Sequence, residues 1–117
     1  MGYHGAVFFP ILPGQDDRVR NFGQEVAQHQ DEWDRLNREA GGFKSFRVFF
    51  QESPMGNFAI QTWELDDPSK VRTMFTDSAY DQWWLDYLRD VHGVDIRNWP
   101  PDQPPPSPPP MVYEWTE

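Results

Sequence analysis

Phe43 to Leu65 reads FKSFRVFFQESPMGNFAIQTWEL, two alternating runs around one turn. In the first run, Phe43 to Glu52, Phe46, Val48 and Phe50 share one side, while Ser45, Arg47, Phe49 and Gln51 share the other. In the second, Phe58 to Leu65, Phe58, Ile60 and Thr62 oppose Ala59, Gln61, Trp63 and Leu65. A period of two is the signature of a strand, and Ser53-Pro54-Met55-Gly56-Asn57 is turn chemistry, so the pair predicts a hairpin. A third run, Gly5 to Leu12, sets Ala6, Phe8 and Pro10 against Val7, Phe9 and Ile11 and ends at Pro13-Gly14. Apolar on both sides, it predicts a strand covered on both faces. Helices cover only one face of such a sheet. Phe8, Phe9, Val48, Phe49, Phe50, Ile60 and Trp63 put apolar groups on both, so the second face calls for a cover, such as a partner's sheet packed face to face.

The helical signals are equally clear. From Asp16 to Ala40, apolar positions recur at Val19, Phe22, Val26, His29, Trp33 and Leu36, one stripe of a single long helix. Asp16 or Gln15 caps its start, and Gly41-Gly42 supplies a left-handed stop. Asp67-Pro68 predicts a second start, followed by a stripe through Val71, Met74, Phe75 and Ser78. The phase then changes near Asp77, and Ser78-x-x-Asp81 has capping-box form. A second segment is expected from Ala79 to His92, closed by Gly93. Trp84, Leu88 and Val91 face the core in this reading, while Trp83 and Tyr87 point outward as contact residues. Asp81, Asp86 and Asp90 make its solvated face.

Trp99 to Pro110, WPPDQPPPSPPP, holds eight of the twelve prolines. It excludes helix and central strand and, as polyproline II, would span roughly 37 Å. Met111 to Thr116 predicts a final strand. The organisation expected is an α+β domain over 1–98, a proline-rich spacer over 99–110 and a C-terminal strand over 111–117. The order strand, helix, strand, strand, helix, strand is the ferredoxin-like βαββαβ pattern.

Composition narrows the function. The formal charge is −9, with ten Lys and Arg scattered among nineteen acids. That disfavours nucleic acid and anionic membranes as partners. Cysteine is absent, which removes disulfides, thiolate metal sites and a cysteine nucleophile. His4, His29 and His92 lack zinc-ligand spacing, and no nucleotide fingerprint or catalytic triad motif occurs. Neither metal nor cofactor is expected. The apolar run near the N-terminus is short for a signal, so a cytoplasmic location is expected.

The arrangement resembles the dimeric α+β barrel superfamily, which includes antibiotic-biosynthesis monooxygenases and stress-responsive barrel proteins. Ser53 to Ile96 is more closely similar to an uncharacterised bacterial group within it. The shared features are SPMGN at Ser53–Asn57, DDP at Asp66–Pro68, S-x-x-D-x-W-W at Ser78–Trp84 and HGVDI at His92–Ile96. The resemblance implies a homodimer or higher homo-oligomer. The proline-rich extension departs from the family pattern, in which the last strand follows the second helix quickly.

His29 is the polar anomaly of the first helical stripe. A buried imidazole needs a partner, and it suits either a satisfied core residue or a base. The ligand-pocket candidates are His29, Trp33, Arg47, Asn57, Trp63, Tyr80, Trp84 and His92. Two functions stay open. One is a non-catalytic small-ligand-binding or stress-associated dimeric barrel protein holding a small apolar ligand. The other is a cofactor-independent monooxygenase-like enzyme acting on a small aromatic or polyketide-like molecule, with His29 as first candidate for its polar group.

Overall fold

The computed structural model describes residues 3–67, 69–70, 82–104 and 110–117. Tyr3–Pro10 forms β1, Phe43–Gln51 forms β2 and Phe58–Leu65 forms β3, in a sheet of order β1-β3-β2. β3 is antiparallel to both neighbours, with Gly5 opposite Trp63 and Phe46 opposite the same tryptophan. The hairpin forms as the alternation predicts. Ser53 Oγ accepts from the Met55 N–H at 3.2 Å and donates to the Gly56 carbonyl at 2.6 Å. Gly56 has φ +119°, a conformation open mainly to glycine. β1 and β2 are thus parallel, with helices between them in sequence and β3 inserted between them in space. This is a split βαβ unit within an α+β fold.

The single helix expected over Asp16–Ala40 is instead built in pieces. These are α1 (Asp16–Arg20), α2 (Phe22–Gln28), α3 (Gln30–Arg35) and a π-helical segment, Leu36–Gly41. The breaks fall at Asn21 (φ −101°, ψ 23°) and His29 (φ −129°, ψ 33°). The His29 N–H bonds the carbonyl three residues back, on Val26, at 2.9 Å. Asn21, Gly23 and His29 are weak helix formers. The predicted stripe still turns inward: Val19 and Leu36 are buried, and Phe22, Val26, His29 and Trp33 half-buried. Gly42, at φ +63°, ends the segment as expected.

The last helix, α4, spans Gln82–His92. It stops where the Val94 N–H reaches the Leu88 carbonyl at 3.1 Å and the Gly93 N–H the Arg89 carbonyl at 3.0 Å, with Gly93 at φ +74°. Trp84, Leu88 and Val91 lie in the core as predicted. Trp83 and Tyr87 do not point outward: they are 8% and 1% exposed. Side chains of α1 and α2 cover them. Trp83 Nε1 donates to Glu25 Oε1 at 3.0 Å, and the Arg18 guanidinium lies over the Tyr87 ring at 5.2 Å. The start at Pro68, the stripe from Val71 to Ser78, the break near Asp77 and the first residues of the second segment lie outside the described residues.

The helices pack on one face of the sheet. That face carries Tyr3, Gly5, Val7 and Phe9 of β1, Ala59, Gln61, Trp63 and Leu65 of β3, and Phe43, Phe46, Val48 and Phe50 of β2. A Cβ on Gly5 would fall 2.4 Å from Trp63 Nε1, so the indole lies where any side chain at residue 5 would sit. Within one chain β1 is covered on one face, and Phe8 on the other is 64% exposed.

The tail also differs from expectation. The spacer begins folded, with the Gln103 N–H on the Pro100 carbonyl at 3.1 Å and Trp99 Nε1 on the Pro104 carbonyl at 2.9 Å. Residues 110–117 carry no strand and are exposed. Pro110 and Met111 line a cleft on the sheet's face with residues of all three strands. The fourth strand of a βαββαβ sheet is therefore not among the described strands. No helix among the described residues is long and apolar enough to cross a membrane.

Candidate functional site

The face away from the helices is a graded surface, set by strand register. Its rows, read across β1, β3 and β2, are His4–Glu64–Ser45, Ala6–Thr62–Arg47, Phe8–Ile60–Phe49 and Pro10–Phe58–Gln51. One end is polar and the other apolar. Phe8 and Phe49 stand 64% and 52% exposed, and Met55 of the hairpin loop, 88% exposed, lines a groove with Phe8, Phe58 and Ile60. Phe8 packs edge-on against Phe58, with centroids 5.6 Å apart.

A cleft of about 350 Å³ opens over the polar half. His4, Ala6, Ser45, Arg47 and Thr62 form its floor, and Pro110 and Met111 lie against it. Arg47 bonds Ser45 Oγ at 3.4 Å, and among the described residues no carboxylate pairs with it. Trp63 reaches the cleft beside Gly5, and its Nε1 is buried without an acceptor. Cleft volumes of about 300–1,000 Å³ are typical of small-molecule sites.

The sequence candidates do not converge. Arg47 and Trp63 line this cleft. His29, Trp33, Trp84 and His92 lie on the helical side. His29 stacks on Trp83, with centroids 4.9 Å apart and planes 8° apart. Trp33 meets Phe46 at 5.1 Å and Trp84 at 5.2 Å, edge to face, while His29 also lines an open cleft of about 340 Å³ with Arg18 and Glu25 on the helical side. Asn57 is a structural tie, its Nδ2 donating to Asp16 Oδ2 at 3.1 Å. Tyr80 lies outside the described residues. Sequence reasoning missed His4, Ser45, Thr62 and Met111 as cleft residues. The first three share the strand face of Phe8, Ile60 and Phe49, which was their available signal.

Two titratable groups on the helical side have displaced acidities. Burial pushes the Glu25 carboxyl up, but its bonds from Arg18 and Trp83 outweigh this and hold it below its ordinary range. The His92 Nδ1 lies 2.8 Å from the Pro10 carbonyl, as a donor in the neutral ring. Its Nε2 is buried without a partner. Burial pulls its pKa down, and the Pro10 bond opposes this only in part.

The unfolded chain therefore takes up the His92 proton first. Its contribution to stability is complete above about 6.5 and falls as pH drops toward the lower folded value. Melting followed from pH 8 to pH 5 should show this loss. His92→Gln, which cannot titrate, should flatten the slope in that window; equal slopes in both proteins would contradict the assignment. Glu25 acts lower, its contribution being lost as pH falls through its depressed folded pKa.

No family model, curated protein or solved structure matches this chain. Among the described residues no group of three or more His, Asp or Glu is placed to hold a metal ion.

Proposed function

We propose that the chain is a non-catalytic small-ligand-binding protein of the dimeric α+β barrel type, with two copies packed open face to open face and the ligand held between them. The observation that carries this is the graded open face, on which a cleft holding the Arg47 guanidinium, paired with no carboxylate among the described residues, adjoins the exposed rings of Phe8 and Phe49. Arg47, Ser45 and Thr62 suit a polar or anionic head. Ala6 and the phenyl row suit an apolar body. In this reading the split βαβ unit is the first half of a ferredoxin-like fold, and the bare edge of β1 is where its fourth strand belongs. We place the protein in the cytoplasm, as its composition suggests.

The binding role is preferred over the monooxygenase-like one because the first candidate base, His29, lies across the sheet from the cleft. Thermal-shift titration with small aromatic monocarboxylates tests the proposal. At least one should raise the melting temperature of the parent protein. Arg47→Ala should lose at least tenfold in affinity for that compound while the empty protein melts unchanged. Binding indifferent to Arg47, or no binder in the class, would count against a ligand site in this cleft.

A further inference from the structure

The outer edge of β1 is unpaired, and its hydrogen-bonding phase follows from one bond. The Ile11 N–H donates to the Asn57 carbonyl at 3.0 Å, continuing the β1–β3 register. Odd-numbered residues of β1 therefore bond β3, and His4, Ala6 and Phe8 direct their N–H and carbonyl groups outward. No strand among the described residues pairs with them. The edge closes at Pro10, which has no N–H and whose carbonyl already meets His92. Tyr3 to Phe8 thus offers six residues of bare edge. An exposed strand edge is a template for another chain.

The same molecule carries a six-residue segment of strand-forming composition. Met111 to Thr116, MVYEWT, has Met111 47%, Val112 91%, Tyr113 77% and Trp115 73% exposed. We infer that this hexapeptide is the missing strand of a second copy: each chain lays its Met111–Thr116 antiparallel on the β1 edge of its partner, with Glu114 opposite Gly5. The inference rests on the dimer proposed above.

One observation sets the register, and the placing of the neighbouring residues agrees with it. Trp63 Nε1 is buried without an acceptor at Gly5, and a carboxylate opposite Gly5 on the same face lies beside it. With Glu114 there, Met111, Tyr113 and Trp115 take the hydrogen-bonding positions against Phe8, Ala6 and His4. Pro110 then falls at a position that needs no N–H toward β1. The apolar side chains Met111, Tyr113 and Trp115 extend the open face by one strand.

Area argues for exchange. Three strands about 4.8 Å apart and eight residues long make a flat footprint of roughly 370 Å² per copy. Two such faces bury about 740 Å², short of the roughly 1,200–2,000 Å² of a stable specific interface. An added strand with two aromatic rings, each of roughly 150–250 Å², supplies the difference. The chain's own tail is poorly placed for the edge. Pro110 and Met111 line the cleft on the open face together with residues of all three strands, and residues 111–117 of the same chain form no strand.

The chain has no cysteine, which allows a clean test. Ala6→Cys and Tyr113→Cys are purified as separate proteins, mixed and oxidised. A disulfide-linked heterodimer is expected, with Tyr113→Cys giving at least tenfold more of it than Glu114→Cys, whose side chain takes the other face. A dimer of full mass without the cross-link would overturn the exchange and leave the dimer standing. Cross-linking only within one chain, when both cysteines are in the same molecule, would also overturn it. A monomer throughout would overturn both.

Discussion

Trp84→Ala is expected to lower stability by about 3–5 kcal/mol, the usual cost of deleting a buried large aromatic ring. Trp84 is 0% exposed. It stacks on Tyr87 with planes 9° apart and meets Trp33 at 5.2 Å, Phe22 at 6.3 Å and Phe46 at 6.3 Å. These partners come from α2, α3, β2 and α4, so the cavity opens where helices and sheet meet, and no single element can collapse into it. A domain of this size has roughly 5–15 kcal/mol in total. The variant should therefore unfold at much lower urea with loss of near-ultraviolet aromatic signal. A change below about 1 kcal/mol would remove Trp84 from the centre of the core.

Phe49→Asp should have the second large effect, on assembly rather than on folding. Phe49 is 52% exposed within one chain, and such a surface substitution normally changes stability by no more than about 0.5 kcal/mol. In a face-to-face dimer the same ring is buried. Losing its burial costs roughly 1.5–3 kcal/mol per copy, counted twice across a two-fold interface. Each ~1.4 kcal/mol is tenfold in the dissociation constant, so dimer affinity should fall at least a hundredfold while the chain keeps its circular dichroism spectrum. Equal loss of fold and of mass would mean that Phe49 supports the chain itself.

How much of this is legible in the sequence depends on the range of the interaction. The period of two in Phe43–Leu65 is local, and it assigns the side chains of Ser45–Gln51 and Phe58–Leu65 to their faces, whereas a bulge between Phe43 and Ser45 turns Phe43 to the helical side. The helical stripe of Val19, Phe22, Val26, His29, Trp33 and Leu36 is also local, and it survives the breaks at Asn21 and His29. Which face the helices choose is not local. It involves Trp63 lying against Gly5, residues far apart in sequence whose meeting requires β3 to pair with β1.

Trp83 and Tyr87 show the same limit. A helix read alone has one buried stripe, and these two residues fall beside it. They are buried because side chains from another part of the chain cover them, Glu25 accepting from the Trp83 indole and Arg18 lying over the Tyr87 ring. The candidate site suffers most. His29 stands out as a polar interruption of an apolar stripe, yet its ring stacks on Trp83. The cleft is built from small and polar residues, Ala6, Ser45 and Thr62, whose strand faces are legible locally but which meet only when register sets them side by side.

The central claim is that the open sheet face is covered by a second copy of the chain. Sedimentation equilibrium of the unaltered protein at micromolar concentration tests it most directly. The account predicts a mass of twice 13.8 kDa, or a larger even multiple. A stable species of 13.8 kDa across that range would contradict it.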